Sequence, residues 1–167
     1  MEAVTIPLVE EQLKEKFGEA VLDVQHLDMP VFVVRRESII DIIQWLYNSE
    51  ELQFRFLTTM CGLHFPFNAG QELGVMYQLH SFNHNQRIRL KIFFPLNDEH
   101  VPTLTHIFST ANWMERETFD FYGIIFDGHP NLIRILNVED MEFFPMRKEF
   151  PLEDPTREDK DDTMFGR

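Results

Sequence analysis

Residues Leu73–Phe94 read LGVMYQLHSFNHNQRIRLKIFF. Two stretches suited to strands, Leu73 to Ser81 and Arg87 to Phe94, flank the polar link Phe82-Asn83-His84-Asn85-Gln86. In the second stretch Ile88, Leu90, Ile92 and Phe94 alternate with Arg87, Arg89, Lys91 and Phe93. A period of two sends one set to a core and the other toward solvent, the pattern of a half-exposed antiparallel strand.

The neighbouring segments extend this hairpin. Gln53 to His64, rich in Phe, Leu and Thr, suits a long buried strand, and Pro66-Phe67-Asn68-Ala69-Gly70 closes it. Earlier, Ser38 is placed to cap a helix in which Ile39, Ile42, Ile43, Leu46 and Tyr47 recur at helical spacing. Val21-Leu22-Asp23-Val24 and Val31-Phe32-Val33-Val34 read as strands separated by a turn around Asp28-Met29-Pro30. Pro7 opens a first helix, with Leu8, Leu13 and Phe17 on one face and Gly18 closing it. Downstream, Pro95 to Pro102 is a loop. Thr103 is expected to cap a long helix with the inward stripe Leu104, Ile107, Phe108, Ala111 and Met114, ending near Gly123. Leu132 to Leu136 is expected to be a short helical or extended piece.

Hairpins with helices segregated to one face give an α+β two-layer domain on a mainly antiparallel or mixed sheet. That domain is expected over residues 1–137, with 138–167 an extended C-terminal arm or tail. Phe143, Phe144, Met146, Phe150 and Leu152 are apolar side chains that a solvated tail does not need, so the arm is expected to be ordered through Leu152. Beyond it Glu153, Asp154, Glu158, Asp159, Asp161 and Asp162 favour disorder.

Composition narrows the function. A chain of 167 residues, 44% hydrophobic and 26% charged, has the mix of one folded domain. Its 17 phenylalanines are a large aromatic load: a monomer can bury many of them, but an excess also suits a surface covered by partners. A formal net charge of −13 argues against nucleic-acid binding and against direct docking on anionic lipid. No secretory signal and no run of about 18 uncharged apolar residues is visible, so membrane association is expected only through a partner. Cys61 is the single cysteine. It allows no intramolecular disulfide, and one thiolate cannot hold an iron–sulfur cluster.

No motif for catalysis stands out. His80 and His84 are four apart, but not on a helical stretch, and HExxH spacing is absent. The seven glycines form neither GxGxxG nor a phosphate loop, and there is no GxSxG elbow. The densest charge cluster is Glu115-Arg116-Glu117-Thr118-Phe119-Asp120-Phe121-Tyr122-Gly123. On a helix Arg116 and Asp120 are four apart and can pair. The cluster reads either as a carboxylate pair for acid–base chemistry or, more simply, as a helix end with structurally paired charges. Arg147-Lys148-Glu149-Phe150-Pro151-Leu152 fits docking against an acidic groove as well as it fits a solvated turn.

The order ANWMERETFDFYGIIFDGHPNLIRIL (111–136), followed by EDMEFFPMRKEFPL (139–152), resembles the signature of the 30 kDa subunit family of respiratory complex I. Its bacterial members are the C subunits of NADH-quinone oxidoreductase. Glu115, Arg116, Glu117, Asp120, Gly123, Phe126, Gly128, His129, Pro130, Leu132, Arg134, Ile135 and Leu136 match the family pattern, as do Arg147, Lys148, Phe150 and Pro151. The likeness extends more weakly back to Leu52, through Cys61-Gly62-Leu63-His64-Phe65-Pro66. The chain departs from the pattern at His64, Ile133, Met141 and Phe143-Phe144.

The resemblance implies a non-catalytic structural subunit in the peripheral arm of a proton-translocating NADH:quinone oxidoreductase. It further implies contact with the large quinone-site subunit and with iron–sulfur subunits, on the cytoplasmic side of the inner (plasma) membrane. No cofactor is expected in this chain, with FMN and iron–sulfur clusters carried by partner subunits. The signature residues Glu115, Arg116, Glu117, Asp120, Gly123, His129, Pro130, Arg134, Arg147, Lys148, Phe150 and Pro151 are then partner-interface residues. Alternatives are a homologous subunit of a membrane-bound hydrogenase or ferredoxin-linked dehydrogenase, and a freely soluble binding module. A further one is a free-standing acid–base or metal enzyme using Glu115, Glu117, Asp120 and His129.

Overall fold

A computed structural model describes residues 6–150. Pro151 and the acidic segment beyond it lie outside the described residues, as does the expectation of disorder there. The chain begins with α1 (Ile6–Phe17), then the hairpin β1 (Val21–His26) and β2 (Pro30–Val34), then α2 (Ile39–Asn48). The meander β3 (Phe56–His64), β4 (Leu73–Ser81) and β5 (Gln86–Phe94) follows. A short β6 (His100–Pro102), the helix α3 (Ala111–Tyr122) and β7 (Ile125–Asp127) complete the helices and strands among the described residues.

Five strands form one mixed sheet in the order β1-β2-β5-β4-β3. All pairs are antiparallel except β2 with β5, which run parallel because α2 and β3–β4 lie between them in the chain. The hairpin reads as its alternation requires: Ile88, Leu90, Ile92 and Phe94 are buried, while Arg87 is exposed and Arg89, Lys91 and Phe93 are half-buried. Register aligns Met60, Tyr77 and Leu90 in one row and Gly62, Val75 and Ile92 in the next. These rows face the core, joined by Val9 and Leu13 of α1, by Ile39, Ile42, Ile43 and Leu46 of α2, and by Ala111 of α3.

All three helices therefore sit on one face of the sheet. The closest approach is at Gly62, where a Cβ would collide with the Tyr122 ring, so α3 rests directly on the β3 backbone. The α+β two-layer architecture expected from the sequence is the one observed.

Local expectations met different fates. Ser38 directly precedes α2, but its side chain makes no capping hydrogen bond and the residue ends a short 3-10 turn. The strand expected from Gln53 starts at Phe56, because Gln53 has φ +52° and turns the chain while Leu52 and Phe54 plug the core. The helix expected from Thr103 starts eight residues later, at Ala111. Thr103 acts through Glu115 instead: its hydroxyl donates to the Glu115 carboxylate at 2.5 Å and accepts the Thr105 N–H. Leu104 still packs in the core, held by a turn whose Ile107 and Phe108 N–H groups bond the Leu104 carbonyl.

Candidate functional site

The last turn of α3 organises the signature residues. An α-helix leaves its final four carbonyls without intrahelical donors. Here each finds one. Gly123, left-handed at φ +74°, donates its N–H to Phe119 O at 2.8 Å. Arg134 Nη1 donates to Asp120 O at 2.8 Å, Met146 N–H to Phe121 O at 3.1 Å, and Arg147 Nε to Tyr122 O at 2.7 Å. Three of the four donors thus come from a segment with no regular structure. Two are guanidinium groups, which also suit the negative end of the helix dipole.

Asp120 is the centre of this arrangement. It is fully buried, and its Oδ2 accepts the N–H groups of Ile135, Leu136 and Asn137 at 3.1, 2.8 and 3.0 Å. Its Oδ1 accepts from Arg134 Nη1 at 2.8 Å and from Asn137 Nδ2 at 3.0 Å. Burial alone pushes the carboxyl up. The Asn137 and Leu136 N–H groups, Arg134 and the Asn137 side chain overcome that and hold it well below the usual carboxylate range. The element expected over Leu132 to Leu136 is absent for the same reason: three consecutive N–H groups converge on one oxygen, a nest around an anion that neither helix nor strand can make.

The Arg116–Asp120 pair expected from helical spacing does not form. Asp120 is taken by Arg134, whereas Arg116 donates to the carbonyls of Ile133 (3.0 Å) and Arg134 (3.2 Å) and lies over the Trp113 ring. Both arginines therefore stitch residues 133–134 to α3. Arg134 also reaches the carbonyls of Met141 and Phe143, carrying the same clamp into the arm.

Residues 138–150 fold back on their own chain. Phe144 stacks edge-on against Phe119 and lies beneath the guanidinium groups of both Arg134 and Arg147. Gly123 makes room for this layer, since a Cβ there would collide with the Phe144 ring and come 2.7 Å from Arg147 Nη2. Lys148 donates its backbone N–H to His64 Nδ1 at 2.9 Å and sets its ammonium over the Phe65 ring. Phe150 packs against Phe143. His64, Tyr122, Met146, Arg147, Lys148 and Phe150 line a shallow cleft of about 230 Å³. Arg147 Nη2 is buried there with no hydrogen-bond partner among the described residues.

The four residues of the enzyme alternative do not share a cleft. Glu115 is buried under the core between Thr103 and the Leu104 N–H, and burial pushes its carboxyl up to about 7 despite those two bonds. Glu117 is exposed. Asp120 is saturated by donors. His129 has both nitrogens engaged, Nε2 with Asn112 O at 3.1 Å and Nδ1 accepting the Asn131 N–H at 3.0 Å, which ties the Gly128-His129-Pro130 turn to the start of α3. Among the described residues no group of three or more His, Cys, Asp and Glu is placed to hold a metal ion. None of the described helices is long and apolar enough to cross a membrane.

Beside the exposed charges of Glu139, Asp140 and Glu142, the clamp presents large apolar side chains outward. Trp113, Ile133, Leu136, Val138, Phe143 and Met146 are between 42% and 64% exposed, and all lie on α3 or on the segment locked to it. Sequence reading missed Arg134 as the partner of Asp120, Asn137 as a donor, and Thr103 with Leu104 as the site of Glu115. All are tertiary contacts across 11 or more residues, which helical spacing does not report.

Comparison with known proteins shows the family to which the chain belongs. The family model described as respiratory-chain NADH dehydrogenase, 30 Kd subunit, matches residues 32–156. The NADH-quinone oxidoreductase C subunit of Nocardioides sp. (strain ATCC BAA-499 / JS614) is 45% identical over 121 residues, covering 72% of this chain and 48% of that protein. Its counterpart in Mycolicibacterium gilvum (strain PYR-GCK) is 42% identical over 127 residues, 76% of this chain and 56% of that protein. The chain thus spans about half the length of the curated relatives it matches. Among solved structures, the trypsin-resistant fragment (1-134) of Nqo5 superposes with a TM-score of 0.62 at 26% identity, covering 74% of this chain and 98% of that one. A chain of the membrane-bound sulfane sulfur reductase, an archaeal respiratory membrane complex, shares the fold with a TM-score of 0.72 at 24% identity, covering 86% of this chain and 84% of that one. With a family model spanning most of its length, the chain belongs to the respiratory-chain NADH dehydrogenase 30 kDa subunit family.

Proposed function

We propose that this chain is a non-catalytic structural subunit of the peripheral arm of a proton-translocating NADH:quinone oxidoreductase, on the cytoplasmic side of the membrane. It holds the quinone-site subunit and iron–sulfur subunits in fixed relation, while FMN and the clusters reside on those partners. The observation that carries this reading is the row of exposed apolar side chains, Trp113 to Met146, on a segment that Asp120, Arg134 and Arg147 make rigid. Apolar surface held this firmly is what a permanent interface needs, because little ordering entropy is left to lose on binding. The single cysteine of the sequence supports a chain that passes no electrons itself. The Arg147-Lys148 step, with Lys148 exposed at the cleft, suits a carboxylate of a partner.

Electron transfer is steeply dependent on distance, so a wedge that fixes the separation of chains contributes to turnover without carrying charge. The test is to solubilise membranes in mild detergent, resolve native complexes and identify the chains that migrate with this one. NADH-oxidising flavoprotein and iron–sulfur subunits are expected among them. Companions that lack the flavoprotein would move the chain to a related membrane complex, and migration alone would end the structural-subunit reading.

A further inference from the structure

The sheet has a second face, on which none of the three helices packs. Register aligns Cys61, Met76 and Lys91 in one row across β3, β4 and β5, with Leu63, Gly74 and Phe93 in the next. Gln78 and Arg89 form a third row, joined by a side-chain hydrogen bond of 3.2 Å. Cys61, Leu63, Met76, Gln78, Arg89, Lys91 and Phe93 are all half-buried rather than covered. Aromatic groups close both ends: Phe65 stacks on Phe93 at one, and Phe56, His80 and Phe82 stack together at the other.

Its charge runs against that of the molecule. The chain carries a formal −13, yet β5 points Arg87, Arg89 and Lys91 outward from this face, and Lys148 sits beside it over Phe65. Asp28 approaches Arg89 at 3.6 Å; among the described residues Arg87 and Lys91 have no ion-pair partner. Alternate residues of a strand are about 7 Å apart. Carboxylates three or four residues apart on a helix have Cβ atoms about 5–6 Å apart. One acidic helix can thus oppose all three cations while its apolar positions meet Leu63, Met76 and Phe93.

We infer that the open face of β3–β5 is a docking surface for an amphipathic acidic helix of a partner chain, laid along the central strand β4 with its carboxylates toward the β5 cations. This rests on the reading of the chain as a subunit, but it concerns a different face from the α3 clamp. The net negative charge of the rest of the molecule disfavours non-specific docking of such a helix, which confers orientation as well as attraction.

Cys61, the one thiol in the sequence, lies midway along the edge strand β3, in the row of Met76 and Lys91, and reports on that flank of the face. Its alkylation by N-ethylmaleimide is followed by mass spectrometry in the isolated chain and in the detergent-solubilised complex. In parallel, a zero-length carbodiimide joins Lys91 to any carboxylate that pairs with it. Alkylation is expected to slow at least tenfold in the complex, and to recover when high salt releases the chain. Lys91 is expected to cross-link to Asp or Glu residues three or four apart in one partner, with the product lost in Lys91→Gln. Cys61 equally reactive in the intact complex overturns the proposal while leaving the subunit reading standing. So does protection without any carboxylate cross-link, or cross-links only to this chain's own Glu153 to Asp162. A chain that joins no complex overturns both, and native migration shows which has failed.

Discussion

Replacing Asp120 by Asn tests the clamp with almost no change of shape. The carboxylate has five donors on its two oxygens: three backbone N–H groups on Oδ2, and Arg134 with the Asn137 amide on Oδ1. An amide can serve only one of these groups, since its nitrogen faces the other with hydrogens. Either orientation strands at least two buried donors, each worth about 1–3 kcal/mol. It also removes the counter-charge of Arg134, whose side chain is 9% exposed, and breaking a buried pair from one side costs about 3–5 kcal/mol. Because these terms overlap, the expected loss is about 3–5 kcal/mol, read from urea unfolding at pH 7. The loss also depends on pH. Asp120 is held below its ordinary range when folded, so its contribution is complete above about pH 4 and fades as pH falls further, toward the depressed folded value. Wild type and Asp120→Asn should therefore converge in acid. Hydrogen exchange at Ile135, Leu136 and Asn137 should accelerate more than at the core strand β4. A loss below about 1 kcal/mol at pH 7, or an undiminished difference in acid, is incompatible with a clamp centred on this carboxylate.

Two further substitutions probe other parts of the site. Glu115 has the opposite linkage: burial raises its carboxyl to about 7, so its contribution is fully present below the ordinary range and is lost as pH rises through 7. Relative to Glu115→Gln, wild type should lose on the order of 2–3 kcal/mol between pH 5 and pH 8 in urea titrations, and parallel curves would rule this linkage out. Gly123→Ala meets both a positive φ and a collision with the Phe144 ring. A loss of about 2 kcal/mol or more is expected, with faster exchange of the Met146 and Arg147 amides, and an unaltered arm would show that the Gly123 contact does not hold it.

The parts of this fold that read well from sequence are those governed by local periodicity. β4 is found as expected from Leu73 to Ser81, and α2 follows Ser38 with its four inward residues in place. Expectations failed where a distant group overrides local preference. Thr103 looked like a cap because a threonine before an apolar stripe resembles one, but Glu115, twelve residues on, takes its hydroxyl. Leu132 to Leu136 reads as a short helical or extended piece, yet its Ile135 and Leu136 N–H groups are captured by Asp120. Arg116 and Asp120 have the spacing of a pair, yet Arg134 offers a fork that reaches both the carboxylate and the helix end. The family signature could be read because its residues are dense and fixed in order. What each does could not, since that depends on which carbonyls the return of the chain brings near.

On the proposed reading the chain contributes position and not chemistry, and Arg147→Ala separates the two. It removes the donor to Tyr122 O and the cation over Phe144, loosening the arm. The decisive measurement is NADH:quinone turnover divided by the amount of assembled complex, the latter quantified on native gels of the same membranes. Several-fold less complex is expected, with the rate per complex unchanged. Normal amounts of a complex that no longer turns over would mean that the arm takes part in the chemistry itself.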